Sequence, residues 1–169
     1  MKLLETLVLS QKPNYFQELF FPLPLETENV MGLEVHRLEI AEDLAVMLYE
    51  VSMEEAVSPE ILGHLTPHLS ALLLLSDGNF ERMDAENQEL VDSLVRRMDK
   101  IPLVVGVRCK DNNLPRVRED IFRRGMYLSE KGRLFFWNPE VRKSQTHLLT
   151  HLWSILQHST ILPSEMEEA

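Results

Sequence analysis

The chain has 169 residues, 44 % of them apolar and 26 % charged, and carries a formal net charge of −10 with a sequence pI of about 5.1. That length and balance fit one globular domain with a sizeable core, and the acidity excludes non-specific nucleic-acid binding, which needs clustered Lys and Arg, and offers no attraction to an anionic membrane. A single cysteine, Cys109, excludes an intrachain disulfide and fits a reducing cytoplasm.

The opening MKLLETLVLS is too short, and too interrupted by Glu5, to read as a signal peptide or a span, and no run reaches the roughly 20 apolar residues a span needs. Leu3–Leu9 predicts a first buried strand. Pro13 breaks it, and Asn14–Phe21 predicts a short helix that Pro22 and Pro24 end in favour of extended chain. Leu33–Ile40 and Leu44–Val51 predict a hairpin about the polar turn Ala41-Glu42-Asp43. Its second arm is apolar nearly throughout, the pattern of a strand covered on both faces.

Pro59 stands near the start of a helix expected over Ser58–Leu69, which Pro67 should disturb. Ala71–Leu75 predicts a buried parallel strand ended by the turn Ser76-Asp77-Gly78-Asn79. In Asp84–Lys100 the residues Leu90, Val91, Leu94, Val95 and Met98 share one stripe, with acids early and Arg96, Arg97 and Lys100 late, so this segment predicts a helix. Leu103–Val107 is the next strand, Pro115 opens a helix, and Arg133–Trp137 is the last strand. Ser144 is expected to cap a final helix with Leu148, Leu149, Leu152, Ile155 and Leu156 inside.

Strands alternating with helices place the chain in the α/β class. The expectation is a single three-layer domain over residues 1–163, with a mostly parallel six-stranded sheet and one antiparallel edge strand, followed by an acidic tail at 164–169.

Three stretches carry a family resemblance: VMGLEVHRLEIAEDLAVMLYEVSMEE, HLSALLLLSDGN and IPLVVGVRCKDN, which together span most of residues 30–112. They resemble the second and third strands with the γ-phosphate-sensing loop, the fourth strand, and the fifth strand with the guanine-reading loop of a Ras-like G domain. The nearest likeness is to the bacterial Mgl-type GTPases and their actinobacterial relatives.

Against that pattern the nucleotide motifs are altered. No G-x-x-x-x-G-K-[ST] occurs, and the first glycine is Gly32. The phosphate loop would fall on Ser10-Gln11-Lys12-Pro13-Asn14-Tyr15, which has no glycine to let backbone N–H groups curl around an anion, and Pro13 removes one donor. Lys12 matches the phosphate lysine, but no Ser or Thr follows it to hold Mg²⁺. The D-x-x-G motif would fall on Glu50-Val51-Ser52-Met53. Met53 there replaces the glycine that approaches the γ-phosphate, and Glu54 stands where many relatives have the water-orienting Gln. The N-K-x-D motif would fall on Arg108-Cys109-Lys110-Asp111, where only Asp111, the guanine-pairing residue, is kept, and Arg108 cannot accept a hydrogen bond as Asn can.

The resemblance therefore implies Lys12, Glu50 and Asp111 as remnants of a nucleotide site and no catalytic residue. Each lost charge-assisted contact costs about 1.5–3 kcal/mol. The expectation is a non-catalytic pseudo-GTPase scaffold or regulator, without tight nucleotide binding and without cofactor. The alternative is a divergent GTP-binding hydrolase that brings Lys12, Glu50 and Asp111 around one pocket. A receiver-like fold is a third possibility, with Asp77 as its only strand-end support.

By the same resemblance, Met31–Arg37 and Val51–Ala56 would form the partner surface, with Met31, Leu33, Val35, Arg37, Met53 and Glu54 at its centre. The implied partner is a protein, of the roadblock/LC7 type or a second copy of the chain, with no nucleic acid and no membrane involved. His147, His151 and His158 lie on one face of the last helix and are expected to border its apolar stripe, with no metal bound. Tyr15, Phe16, Phe20 and Phe21 are expected in the core, or else on a partner-facing patch.

Overall fold

The computed structural model describes residues 1–21, 23–53, 59–78, 96, 101–110, 114–124 and 132–158. Of the helix expected over Asp84–Lys100 only Arg96 is described, in helical conformation, and the tail at 164–169 lies outside the described residues.

The longest apolar runs became the centre of one sheet. β1 (Lys2–Ser10) lies between β4 (Leu44–Ser52) and β5 (Leu69–Ser76), and is parallel to both. β6 (Leu103–Arg108) and β7 (Arg133–Trp137) extend the parallel part beyond β5. β3 (Leu33–Ala41) runs antiparallel to β4, as the hairpin reading requires. The full order is β2-β3-β4-β1-β5-β6-β7.

Among the described residues the sheet thus has seven strands where the sequence predicts six. The added strand, β2 (Glu26–Val30), pairs antiparallel with β3 and is exposed along its whole length. Its sequence, ETENV, has no apolar face to betray it. Met31 and Gly32 both have positive φ, 55° and 84°, the arrangement of a two-residue hairpin turn whose twist matches its strands. Such turns favour Asn-Gly, so Met-Gly conceals the signal. Asn29 compensates by accepting a hydrogen bond from the Gly32 N–H through its side-chain oxygen at 3.2 Å.

Helices cover both faces. On one, Leu4, Val8, Val46, Leu48, Leu73 and Val104 meet α1 (Asn14–Phe20) and the C-terminal helix Arg142–His158. On the other, Leu7, Leu9, Val51, Leu72, Leu74 and Val105 meet α2 (Pro59–Leu65), and Val117 of α3 (Leu114–Arg124) packs against the same cluster. We label the C-terminal helix α4. Pro67 acts as expected: α2 stops at Leu65, and Thr66–His68 continue as a single 3₁₀ turn. Ser144 does not cap α4, which starts at Arg142. Its hydroxyl instead accepts from the Asn138 N–H at 2.9 Å and anchors the loop leading into the helix. Among the described residues no helix is long and apolar enough to cross a membrane.

Candidate functional site

Open α/β sheets bind ligands beyond the carboxyl ends of their strands, where the strand order reverses. Here the chain winds from β1 toward β4 and then returns to β5 on the other side, so that point lies between β1 and β5. The connection from β1 to α1 is three residues, Gln11-Lys12-Pro13. Pro13 occupies the N-cap of a helix of seven residues and makes no side-chain cap bond.

The chain's own side chains fill this crevice. The Gln11 N–H bonds to the Leu75 carbonyl at 2.9 Å, which seats the loop on β5. The Gln11 side-chain oxygen accepts from the Ser76 hydroxyl at 2.9 Å and from the Asp77 N–H at 3.0 Å. Ser76 Oγ in turn accepts from the Gly78 N–H at 3.0 Å. Backbone donors at the end of β5 are thereby consumed internally.

Tyr15 stands next to them on α1, buried, with its hydroxyl donated to Asp77. Burial, then the Asp77 charge, push its ionisation up to about 12, against a smaller opposing pull from Arg108. The Arg108 guanidinium lies 5.2 Å from the Tyr15 ring centre. It also forms a two-pronged ion pair with Glu18, through Nε to one carboxylate oxygen and through Nη2 to the other at 3.1 Å. Gln145 of α4 donates to the Glu18 carbonyl at 3.0 Å and fastens α4 to the same helix.

Two of the expected remnants, Lys12 and Glu50, fall on described residues. Lys12 is exposed at the rim. Glu50 turns toward β3, where its carboxylate meets His36 Nε2 at 2.9 Å. Asp111 and Glu54 lie outside the described residues. An open groove of about 580 Å³ does border the filled crevice, lined by Gln17, Glu18, Phe21, Pro139, Arg142 and Gln145, and neither Lys12 nor Glu50 reaches it.

The proposed partner surface divides. Met31 is 68 % exposed on the β2–β3 turn, and Arg37 is partly exposed. Leu33 and Val35 are buried in the core under α2, because odd-numbered residues at the start of β3 point to that face, and Met53, just past β4 and bonded through its N–H to the Ser10 carbonyl at 2.8 Å, is buried in the same cluster. These three therefore offer no surface to a partner. Tyr15, Phe16 and Phe20 are core, whereas Phe21 is 76 % exposed beside the groove. Cys109 is buried. His147 and His151 are exposed and stack edge to face at 4.5 Å, with the Phe135 ring against His151 at 4.9 Å.

Sequence reading gave the side chains of Gln11, Glu18 and His36 no role of their own. Gln11 and Glu18 find partners 65 and 90 residues away, a relation that no local pattern encodes. Among the described residues, one cluster has the donor set of a metal site: Glu34, His36 and Glu50 bring one ligand atom each within 4.8 Å of one another.

No family model matches the sequence, and no curated protein matches it. Among solved structures the chain is similar to a single-residue variant of Era from Aquifex aeolicus bound to GDP and AlF4⁻, with a TM-score of 0.55 and 11 % identity. The match covers 93 % of this chain and 57 % of that one, so the chain spans under two thirds of that protein's length. At such identity the likeness shows the fold, a G-domain-like α/β domain with a mostly parallel sheet and antiparallel edge strands.

Proposed function

We propose that this domain is a pseudo-GTPase, a degenerate relative of the Mgl-type GTPases that binds a protein partner and does not hold nucleotide tightly. The observation that carries this reading is the filled crevice between β1 and β5. A phosphate group placed there would have to displace Gln11 from Ser76 and Asp77. It would also meet Asp77, an acid hydrogen-bonded to Tyr15, where an anion needs donors. At the position where the family motif has its guanine-reading Asn, Arg108 is committed to Glu18. The loop has neither glycine nor a following Ser or Thr.

A domain without a nucleotide switch presents one fixed surface. β2, the outermost strand on this side among the described residues, and the exposed Met31 turn beside it support a role in protein contact. Following the Mgl-type resemblance, the proposed partner class is a roadblock/LC7-type protein.

The deciding experiment is calorimetric titration with GTP, GDP and ATP in the presence of Mg²⁺, carried to about 1 mM, where binding is worth only about 4 kcal/mol. We expect no heat and no thermal shift. Micromolar binding of a guanine nucleotide would overturn the proposal.

A further inference from the structure

Glu34 of β3 and Glu50 of β4 are directly opposite each other in the antiparallel register. Like charges in that relation destabilise a sheet unless something neutralises them. His36 stands beside them, two residues along β3 on the same face and only 2 % exposed, and one imidazole supplies at most one positive charge against two carboxylates. Its Nε2 faces Glu50 at 2.9 Å, while Nδ1 is held by Thr27 Oγ1 at 2.8 Å from the neighbouring strand. The Phe16 ring stacks on the imidazole at 4.4 Å and fixes its plane. Glu34 is exposed and, among the described residues, has no hydrogen-bond or ion-pair partner.

We infer that Glu34, His36 and Glu50 form a binding site for a divalent transition-metal ion of the Zn²⁺ class. One imidazole nitrogen and two carboxylates make a donor set that suits such ions. Two of the ligands sit on adjacent paired strands at fixed register, and the buried third is oriented by a hydroxyl on its other nitrogen, the outer contact that metal-bound histidines require. Zinc bonds of about 2.0–2.2 Å place neighbouring ligand atoms about 3.4 Å apart in a tetrahedron. The three atoms already lie within 4.8 Å of one another, so a small inward shift of the two carboxylates would bring them to that spacing around the fixed imidazole. The ion would replace the hydrogen bond between His36 and Glu50, enter past the exposed Glu34, and keep one position for water. The site is independent of whether the domain binds nucleotide.

The test is titration of the full chain with Zn²⁺ by calorimetry, with Co²⁺ absorption as a second readout of coordination. We expect one equivalent of Zn²⁺ to bind at micromolar Kd and raise Tm. Glu34→Gln, on the exposed rim, and Glu50→Gln should each weaken binding at least tenfold and bleach the Co²⁺ bands. A His147→Ala/His151→Ala variant, which removes the exposed pair on α4, should bind as the parent does. Absence of binding at millimolar Zn²⁺, undiminished affinity in both Gln variants, or loss of binding in the α4 variant would each overturn the inference.

Discussion

The fit of Tyr15 rests on its hydroxyl being neutral. Unfolded, a tyrosine ionises near 10, whereas in the fold burial and the Asp77 charge raise that of Tyr15 to about 12. The folded state therefore keeps a proton that the unfolded state has lost. The stabilisation is complete below pH 10 and disappears as pH rises from there through about 12. Tyr49 behaves likewise: burial, and then its hydrogen bond to Glu5 at 2.7 Å, push its ionisation up. Thermal melts should show Tm falling steeply over that alkaline window. Tyr15→Phe should flatten the fall, and Tyr15→Phe with Tyr49→Phe should flatten it further. A slope unchanged in the double variant would mean that neither hydroxyl is held as described. Glu18 and Arg108 belong to the same cluster, and neither was readable as a pair, because an ion pair 90 residues apart leaves no periodic trace.

At the level of elements, what holds α1 and α4 onto the sheet explains which parts of the sequence were legible. Parallel strands covered on both faces must be apolar throughout, so β4, β5 and β6 declared themselves as runs of Val and Leu. β2 did not, since it is an edge with neither face buried, held only by its ladder to β3. α1, at seven residues, is too short to form alone. It depends on Phe16, Leu19 and Phe20 in the core, and on its ties to Arg108 and Gln145. α4 lies close over β6. A Cβ at Gly106 would meet Leu148 Cδ2 and Leu75 Cδ2 at 3.0 Å and Trp137 Nε1 at 3.3 Å. Gly106→Ala should accordingly destabilise the domain by about 1–3 kcal/mol through overpacking. Gly63 is the control: it is helical and exposed, with nothing within 4 Å of the added carbon, so Gly63→Ala should stabilise by about 0.5–1 kcal/mol. Urea denaturation of both variants checks the pair, and equal effects would remove the packing argument.

For the molecule as a whole, charge and edge decide what it can associate with. A net charge of −10 repels a second copy at long range. The repulsion is sharpest at the outer edge of β2, where antiparallel pairing centred on Glu28 would set that carboxylate against its own image, with Glu26 from each copy close by. Acidic edge residues are a known means of keeping sheets from joining, and they favour a partner that brings basic groups to the strand. Of the side chains that sequence reading placed at a partner surface, Met31 is exposed and Leu33 and Val35 face inward. Leu33 and Val35 alternate toward the core, while the outward identity of this edge is written in ETENV, a segment with no strand signature. Replacing the acids with neutral strand formers, in a Glu26→Thr/Glu28→Val variant, should leave the fold intact because both positions are exposed. It should also convert a monomer into a dimer at a concentration where the parent sediments as a single species. Raising salt should move the parent in the same direction by screening the carboxylates. If the variant still sediments as a monomer, the acids are not what keeps this edge free. The protein-binding role proposed for the hairpin would then need a surface other than β2.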